Sequence, residues 1–185
     1  MPTDHDFMKI ALEEAQEAYC RDEVPVGAVL VLEGNILARA HNSPIMRNDP
    51  TAHAEILALR QAGENFGNYR LTGAELYVTL EPCIMCAGAI IQARISRVIF
   101  GARDPKCGAV VSLYNILADK RLNHQVEITE GILPEECGEI ISRFFQQKRR
   151  NSLTLRQSDL NRKSTRVVVT GLTRNRFGGQ QLPRG

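Results

Sequence analysis

Two short segments, His53-Ala54-Glu55 and Pro82-Cys83-Ile84-Met85-Cys86, restrict the fold of this chain more than any other feature. They carry one imidazole, one carboxylate and two thiols. If these groups act together, the fold must bring two separated points of the chain to one place. Zinc takes four protein ligands in structural sites, and three plus an open position in catalytic ones. Of the remaining cysteines, Cys20, Cys107 and Cys137, none lies in a second C-x-x-C. His5, His41 and His124 are scattered, and no H-x-x-x-H pair exists. The chain therefore offers His53, Cys83 and Cys86 as a set of three, with the fourth place left for water and Glu55 as an acid/base beside it. An isolated C-x-x-C reads equally as a redox pair or as core cysteines. The preceding Pro82 and the upstream His-x-Glu favour a hydrolytic zinc site, one zinc ion per chain.

The local patterns suit that convergence. Residues 74–80 are short, apolar and partly β-branched, as in a buried strand. Glu81-Pro82 breaks the strand, and proline suits a chain turning into a helix start. Cys83 and Cys86 then stand three apart on one helical face, near a helix N-terminus that favours thiolates. His53 and Glu55, two apart, converge only at a helix entrance. Asp49-Pro50-Thr51 reads as the cap and first turn of that helix, Ile56–Leu59 as its apolar run and Gly63 as its stop. Taken alone, Glu55 is also an ordinary first-turn acid.

The rest of the chain reads as one α/β domain over residues 1–150. An amphipathic helix is expected over 5–21, with Met8, Leu12, Ala15 and Tyr19 on one side. Strands over 26–32 and 36–41 are joined by the hairpin signal Glu33-Gly34-Asn35. A strand over 96–100, a short helix near 113–118, a strand near 126–129 and a helix over 134–149 follow. An opening hairpin and then strand–helix alternation imply a mixed sheet covered by helices on both faces. Residues 151–185 are polar and basic and read as a mobile tail, with Val167–Val169 as an alternative edge strand.

Charge is unevenly spread. Residues 151–185 hold seven Lys/Arg against one acid, whereas residues 1–150 hold 16 basic and 20 acidic groups. The domain is not a generally basic nucleic-acid binder. Its positive charge is local, at Lys148-Arg149-Arg150, where it fits a few phosphates of an RNA loop or a solvated helix end. Of Phe144-Phe145 just upstream, one ring is expected in the core and the other available to stack on a splayed base. Met1–Asp6 lacks signal-peptide character, no apolar run reaches the ~20 residues that cross a bilayer, and an odd cysteine count argues against a disulfide framework. A reducing cytoplasm is expected.

The phrases Glu23-Val24-Pro25-Val26-Gly27-Ala28-Val29, Asp49-Pro50-Thr51-Ala52-His53-Ala54-Glu55, Leu76–Cys83 and Phe100-Gly101-Ala102-Arg103-Asp104 resemble the bacterial tRNA-specific adenosine deaminases, within the cytidine deaminase-like zinc deaminase superfamily. The resemblance covers residues 5–150. It implies a three-layer α/β/α sandwich with a mixed five-stranded sheet. It also implies adenosine-to-inosine conversion at the wobble position of a tRNA anticodon, by attack of zinc hydroxide on purine C6. His53, Cys83 and Cys86 would be the zinc ligands and Glu55 the proton shuttle. The base-contacting asparagine falls on Asn42, which otherwise reads as part of an Asn-Ser-Pro turn. Asp104 and Lys106 fall near the RNA backbone and sugar, in a loop that also reads as an ordinary exposed turn. Phe145, with Arg149 and Arg150, is assigned to the anticodon loop. The resemblance further implies a homodimer with no membrane association.

Two other readings compete. A deaminase of free guanine, cytosine or a nucleoside would share the zinc site without needing Phe145, Arg149 and Arg150. A non-catalytic RNA-binding or partner subunit with structural zinc would have no use for Glu55.

Overall fold

The computed structural model describes residues 2–172, with side chains described through residue 154. Its order is α1 (Asp4–Cys20), β1 (Gly27–Leu32), β2 (Asn35–His41), α2 (Pro44–Arg47), α3 (Ala54–Phe66), β3 (Glu75–Leu80), α4 (Ile84–Gln92), β4 (Arg97–Ala102), β5 (Glu127–Glu130) and α5 (Pro134–Leu172). The five strands form one sheet in the order β2-β1-β3-β4-β5. β1 runs antiparallel to both β2 and β3, while β3, β4 and β5 run parallel. This is the expected mixed five-stranded sheet.

Strand alternation divides the core between two faces. Leu30, Leu76, Val78, Val98 and Phe100 pack with Ala54, Ala58, Ala62, Ala87 and Ile90 from α3 and α4. Val29, Val31, Tyr77 and Ile99 pack with Phe7, Met8 and Ala11 of α1 and with Cys137 of α5. Three alanines at every fourth position let α3 lie close to the sheet, so its start is fixed by packing. At the N-terminus, Thr3 and Asp6 close a capping box around the first turn of α1.

The helix boundaries differ from the sequence expectation in physically interpretable ways. The expected cap at Asp49 is a tight turn, in which Asp49 Oδ1 accepts the Thr51 N–H at 2.8 Å and the Thr51 hydroxyl at 2.7 Å. The helix starts later, with His53 as its N-cap. Gly63 lies inside α3. The stop is Gly67, whose left-handed φ of 69° suits a residue without a Cβ. No helix forms at 113–118, because the preceding N–H groups of Val110, Val111 and Ser112 turn to the Glu81 carboxylate instead of continuing a helical ladder.

Met1–Phe144 forms one compact unit, and the chain from Phe145 forms a second. Helix α5 extends to Leu172, past its expected end near residue 149. Val167–Val169 are therefore helical rather than an edge strand. The remainder of the expected tail, residues 173–185, lies outside the described residues.

Candidate active site

Both metal-ligand segments sit at helix entrances. His53 is the N-cap of α3 (φ −74°, ψ 153°) and Cys83 is the N-cap of α4 (φ −76°, ψ 175°). A cap residue usually turns its side chain onto its own first turn. Neither does so here, and both side chains are left to face each other. Pro82 consequently stands one residue before the cap of α4.

The resulting geometry is compact. Cys83 Sγ and Cys86 Sγ each lie 3.6 Å from His53 Nδ1, and the two sulfurs are 3.7 Å apart. A tetrahedral zinc ion with Zn–S of about 2.3 Å and Zn–N of about 2.0 Å requires edges of about 3.8 Å between sulfurs and about 3.5 Å between sulfur and nitrogen. The three donors fit that face of the tetrahedron. They are also the group of metal-binding side chains found together among the described residues.

Electrostatics agree with a cation site. The hydrogen bond shared with Cys86, joined by that with His53, outweighs burial and brings Cys83 down to about 4. The same bond to Cys83, together with burial, pushes Cys86 up. The His53 imidazole is raised chiefly by its hydrogen bond to Cys83, against burial. Three donors competing for protons around one point are the arrangement a divalent cation relieves.

Glu55 lies in the first turn of α3 and is only 3% exposed. Burial raises its pKa, offset in part by its own backbone N–H, by His53 and by Cys86. A buried carboxyl raised in this way is a stronger proton acceptor than an exposed one, as an acid/base group requires.

Asn42, buried at the end of the hairpin, donates the missing helix cap. Its Oδ1 accepts the Ala54 N–H at 2.8 Å, an orphan donor at the first turn of α3.

Glu81 is a residue that the motifs alone do not single out. Its buried carboxylate accepts N–H groups from Asp104 (3.0 Å), Val110 (3.1 Å), Val111 (2.7 Å) and Ser112 (2.8 Å), and the Ser112 hydroxyl as well. Burial acts to raise its pKa, but the bonds from Ser112, Val111 and Asp104 outweigh it and hold the carboxyl below its ordinary range. The available signal was an acid at the end of a buried strand, where charges are uncommon.

The structure thus gathers His53, Glu55, Cys83 and Cys86, with Asn42 bonded to the same helix start. Asp104 uses Oδ1 to close its own turn, accepting the N–H groups of Lys106 (2.9 Å) and Cys107 (3.2 Å), while Lys106 is exposed. Phe144 is buried, edge-on to Tyr19, whereas Phe145 is 42% exposed. Phe145, Arg149 and Arg150 belong to the second unit, outside the unit that holds the metal-ligand set.

Fold and site define a zinc-binding deaminase: the family model for the cytidine and deoxycytidylate deaminase zinc-binding region matches residues 1–102. The tRNA-specific adenosine deaminase of Bacillus subtilis (strain 168) is 48% identical over 158 residues, covering 85% of this chain and 98% of the relative. That of Haemophilus influenzae (strain ATCC 51907 / DSM 11121 / KW20 / Rd) is 51% identical over 147 residues, covering 79% and 85% respectively. A solved structure described as "Biochemical and Structural Studies of A-to-I Editing by tRNA:A34 Deaminases at the Wobble Position of Transfer RNA" superposes with a TM-score of 0.70 at 51% identity, covering 72% of this chain and 97% of the other. The chain belongs to the tRNA-specific adenosine deaminases. No helix of the described residues is long and apolar enough to cross a membrane.

Proposed function

We propose that this chain converts adenosine to inosine at the wobble position of a tRNA anticodon, by zinc-dependent hydrolysis that releases ammonia. The observation that carries the reading is the buried carboxyl of Glu55 at the start of the same helix whose N-cap, His53, meets Cys83 and Cys86. His53, Cys83 and Cys86 would hold the zinc ion, which when bound would supply a water acidic enough to ionise near neutral pH. Glu55 takes one proton of the attacking water on a carboxylate oxygen and delivers it to purine N1, then takes the second from the new C6 hydroxyl and delivers it to the departing amine. The C6–N bond breaks and the water oxygen remains as the C6 carbonyl. Asn42 Nδ2 is the donor offered to the purine, because Oδ1 is held by Ala54.

In this reading residues 1–150 are the catalytic domain and the basic residues beyond them attract RNA. Phe145 stacks on an unpaired base, Arg149 and Arg150 meet phosphates, and Asp104 and Lys106 meet the backbone and sugar. An anticodon loop already displays unstacked bases, which lowers the cost of delivering one to a buried centre. The enzyme works in the cytoplasm as a homodimer; light scattering at micromolar concentration tests the dimer.

The test of substrate class is inosine formation in an anticodon stem-loop with a wobble adenosine, run beside free adenosine, cytidine and guanine. Conversion of the stem-loop alone supports the reading. Conversion of a free base or nucleoside alone replaces it with a small-molecule deaminase. A zinc-loaded protein that converts nothing replaces it with a non-catalytic subunit.

A further inference from the structure

Glu81 directly follows β3, one residue before Pro82 and two before Cys83, and it is 2% exposed. A carboxylate removed from water is unfavourable unless its lone pairs are filled. One loop fills them all: five donors reach it from the stretch between Asp104 and Ser112. The same stretch is fastened to the start of α4. The Ala109 N–H donates to the Pro82 carbonyl at 2.9 Å, and Gly108 forms an antiparallel bridge with Cys83. A Cβ on Gly108 would sit 2.4 Å from Glu81 Oε2, so only a residue without one lets the backbone lie against the carboxylate.

The two carboxylate oxygens divide this work. Oε1 takes the N–H groups of Val110, Val111 and Ser112, while Oε2 takes the Asp104 N–H and the Ser112 hydroxyl. The Oε2 side therefore sets the end of the loop that carries Asp104 and Lys106.

We propose that Glu81 is a positioning residue for the RNA substrate: it fixes the Asp104–Ser112 loop beside Cys83 and so holds Asp104 and Lys106 where the anticodon backbone must pass. The proposal rests on the tRNA reading above. Glu81 itself touches neither substrate nor metal. Its effect belongs in substrate binding rather than in the proton transfers, which Glu55 performs.

The substitution E81Q tests this at one edge. A glutamine with its oxygen in the Oε1 place keeps three acceptor bonds. Its NH2 group then faces the Asp104 N–H, a donor against a donor, and that contact is lost. The Ser112 hydroxyl can turn and accept, so the disturbance falls on the Asp104 end. The expected result with the zinc-loaded full chain is KM for the stem-loop raised about tenfold, with kcat within about twofold of wild type and one zinc per chain retained. Combined with D104A/K106A, E81Q should add nothing further to KM, because it acts through those residues. S112A removes a single donor and leaves the carboxylate in place. It should raise KM about two- to threefold with the same unchanged kcat, and it carries the test if E81Q does not fold.

An unchanged KM, a loss confined to kcat or zinc content, or full additivity with D104A/K106A overturns the positioning role while leaving the tRNA reading intact. A wild-type enzyme that is inactive on the stem-loop overturns the tRNA reading itself, and the proposal with it.

Discussion

The Cys83 sulfur lies 3.6 Å from His53 Nδ1 although 30 residues separate them in the chain. The contact joins the entrances of α3 and α4, and with Cys86 it makes a three-donor face of the size zinc requires. C86S leaves two donors, so metal analysis should fall from one zinc per chain to well under half. Turnover should disappear in parallel. Removing zinc from the intact protein with a chelator should abolish activity, and adding it back should restore activity. Full activity in the metal-free protein would show that these donors have another role.

The helix cap made by Asn42 and its proposed contact with the purine can be separated by substitution. N42A strands the buried Ala54 N–H and should lower folding stability by about 1–3 kcal/mol. N42D keeps an oxygen acceptor at the helix start, where an anion is also favoured, and should restore most of that stability. It lacks the amide donor, so kcat/KM should stay at least tenfold down in both variants. Chemical denaturation beside steady-state kinetics checks this, and recovery of activity in N42D would assign Asn42 to structure alone.

Asp4 ties α1 to the sheet by accepting from Arg97 at 2.7 and 3.2 Å and from the Tyr77 hydroxyl at 2.9 Å. The Arg97 guanidinium, against partial burial and with help from Tyr77, holds the Asp4 carboxyl below its usual 3.8. A carboxyl depressed in the folded state stabilises above its unfolded pKa, and that stability is lost as pH falls through the folded value. D4N should therefore cost about 1–2 kcal/mol at pH 7 and converge with wild type in acid, once pH has fallen through the folded value of the Asp4 carboxyl. Denaturation curves at the two pH values decide it; a gap that persists in acid would place the effect in packing.

Much of this architecture is legible from residue patterns. The β-branched run ending at Leu80 is a strand, and His53 and Glu55 meet because they stand at a helix entrance, as their spacing of two demands. What escapes is whatever depends on distant partners. Asp49 caps its own turn, and the helix cap comes from Asn42 across the hairpin. The stretch at 113–118 has helical character in sequence, yet the N–H groups before it go to Glu81. Neither partner is near in the chain, so no local pattern reports it. The length of α5 is likewise hidden, because its polar second half has no apolar stripe to mark a helix.

In the proposed reading Arg149 meets an RNA phosphate. R149A should weaken stem-loop binding and reduce the slope of log Kd against log salt by about one, as loss of one phosphate contact does. Zinc content should not change. An unaltered salt slope would remove Arg149 from the RNA surface.

The proposed role of Glu55 is to move the protons of adenosine hydrolysis beside a zinc held by its neighbours. Its most direct test is the single-turnover rate of inosine formation in a wobble-adenosine stem-loop by E55A, with zinc content measured on the same sample. The expected result is one zinc per chain, unimpaired stem-loop binding and a rate reduced by about 10²–10⁴-fold. A zinc-loaded E55A that deaminates at the wild-type rate would contradict it.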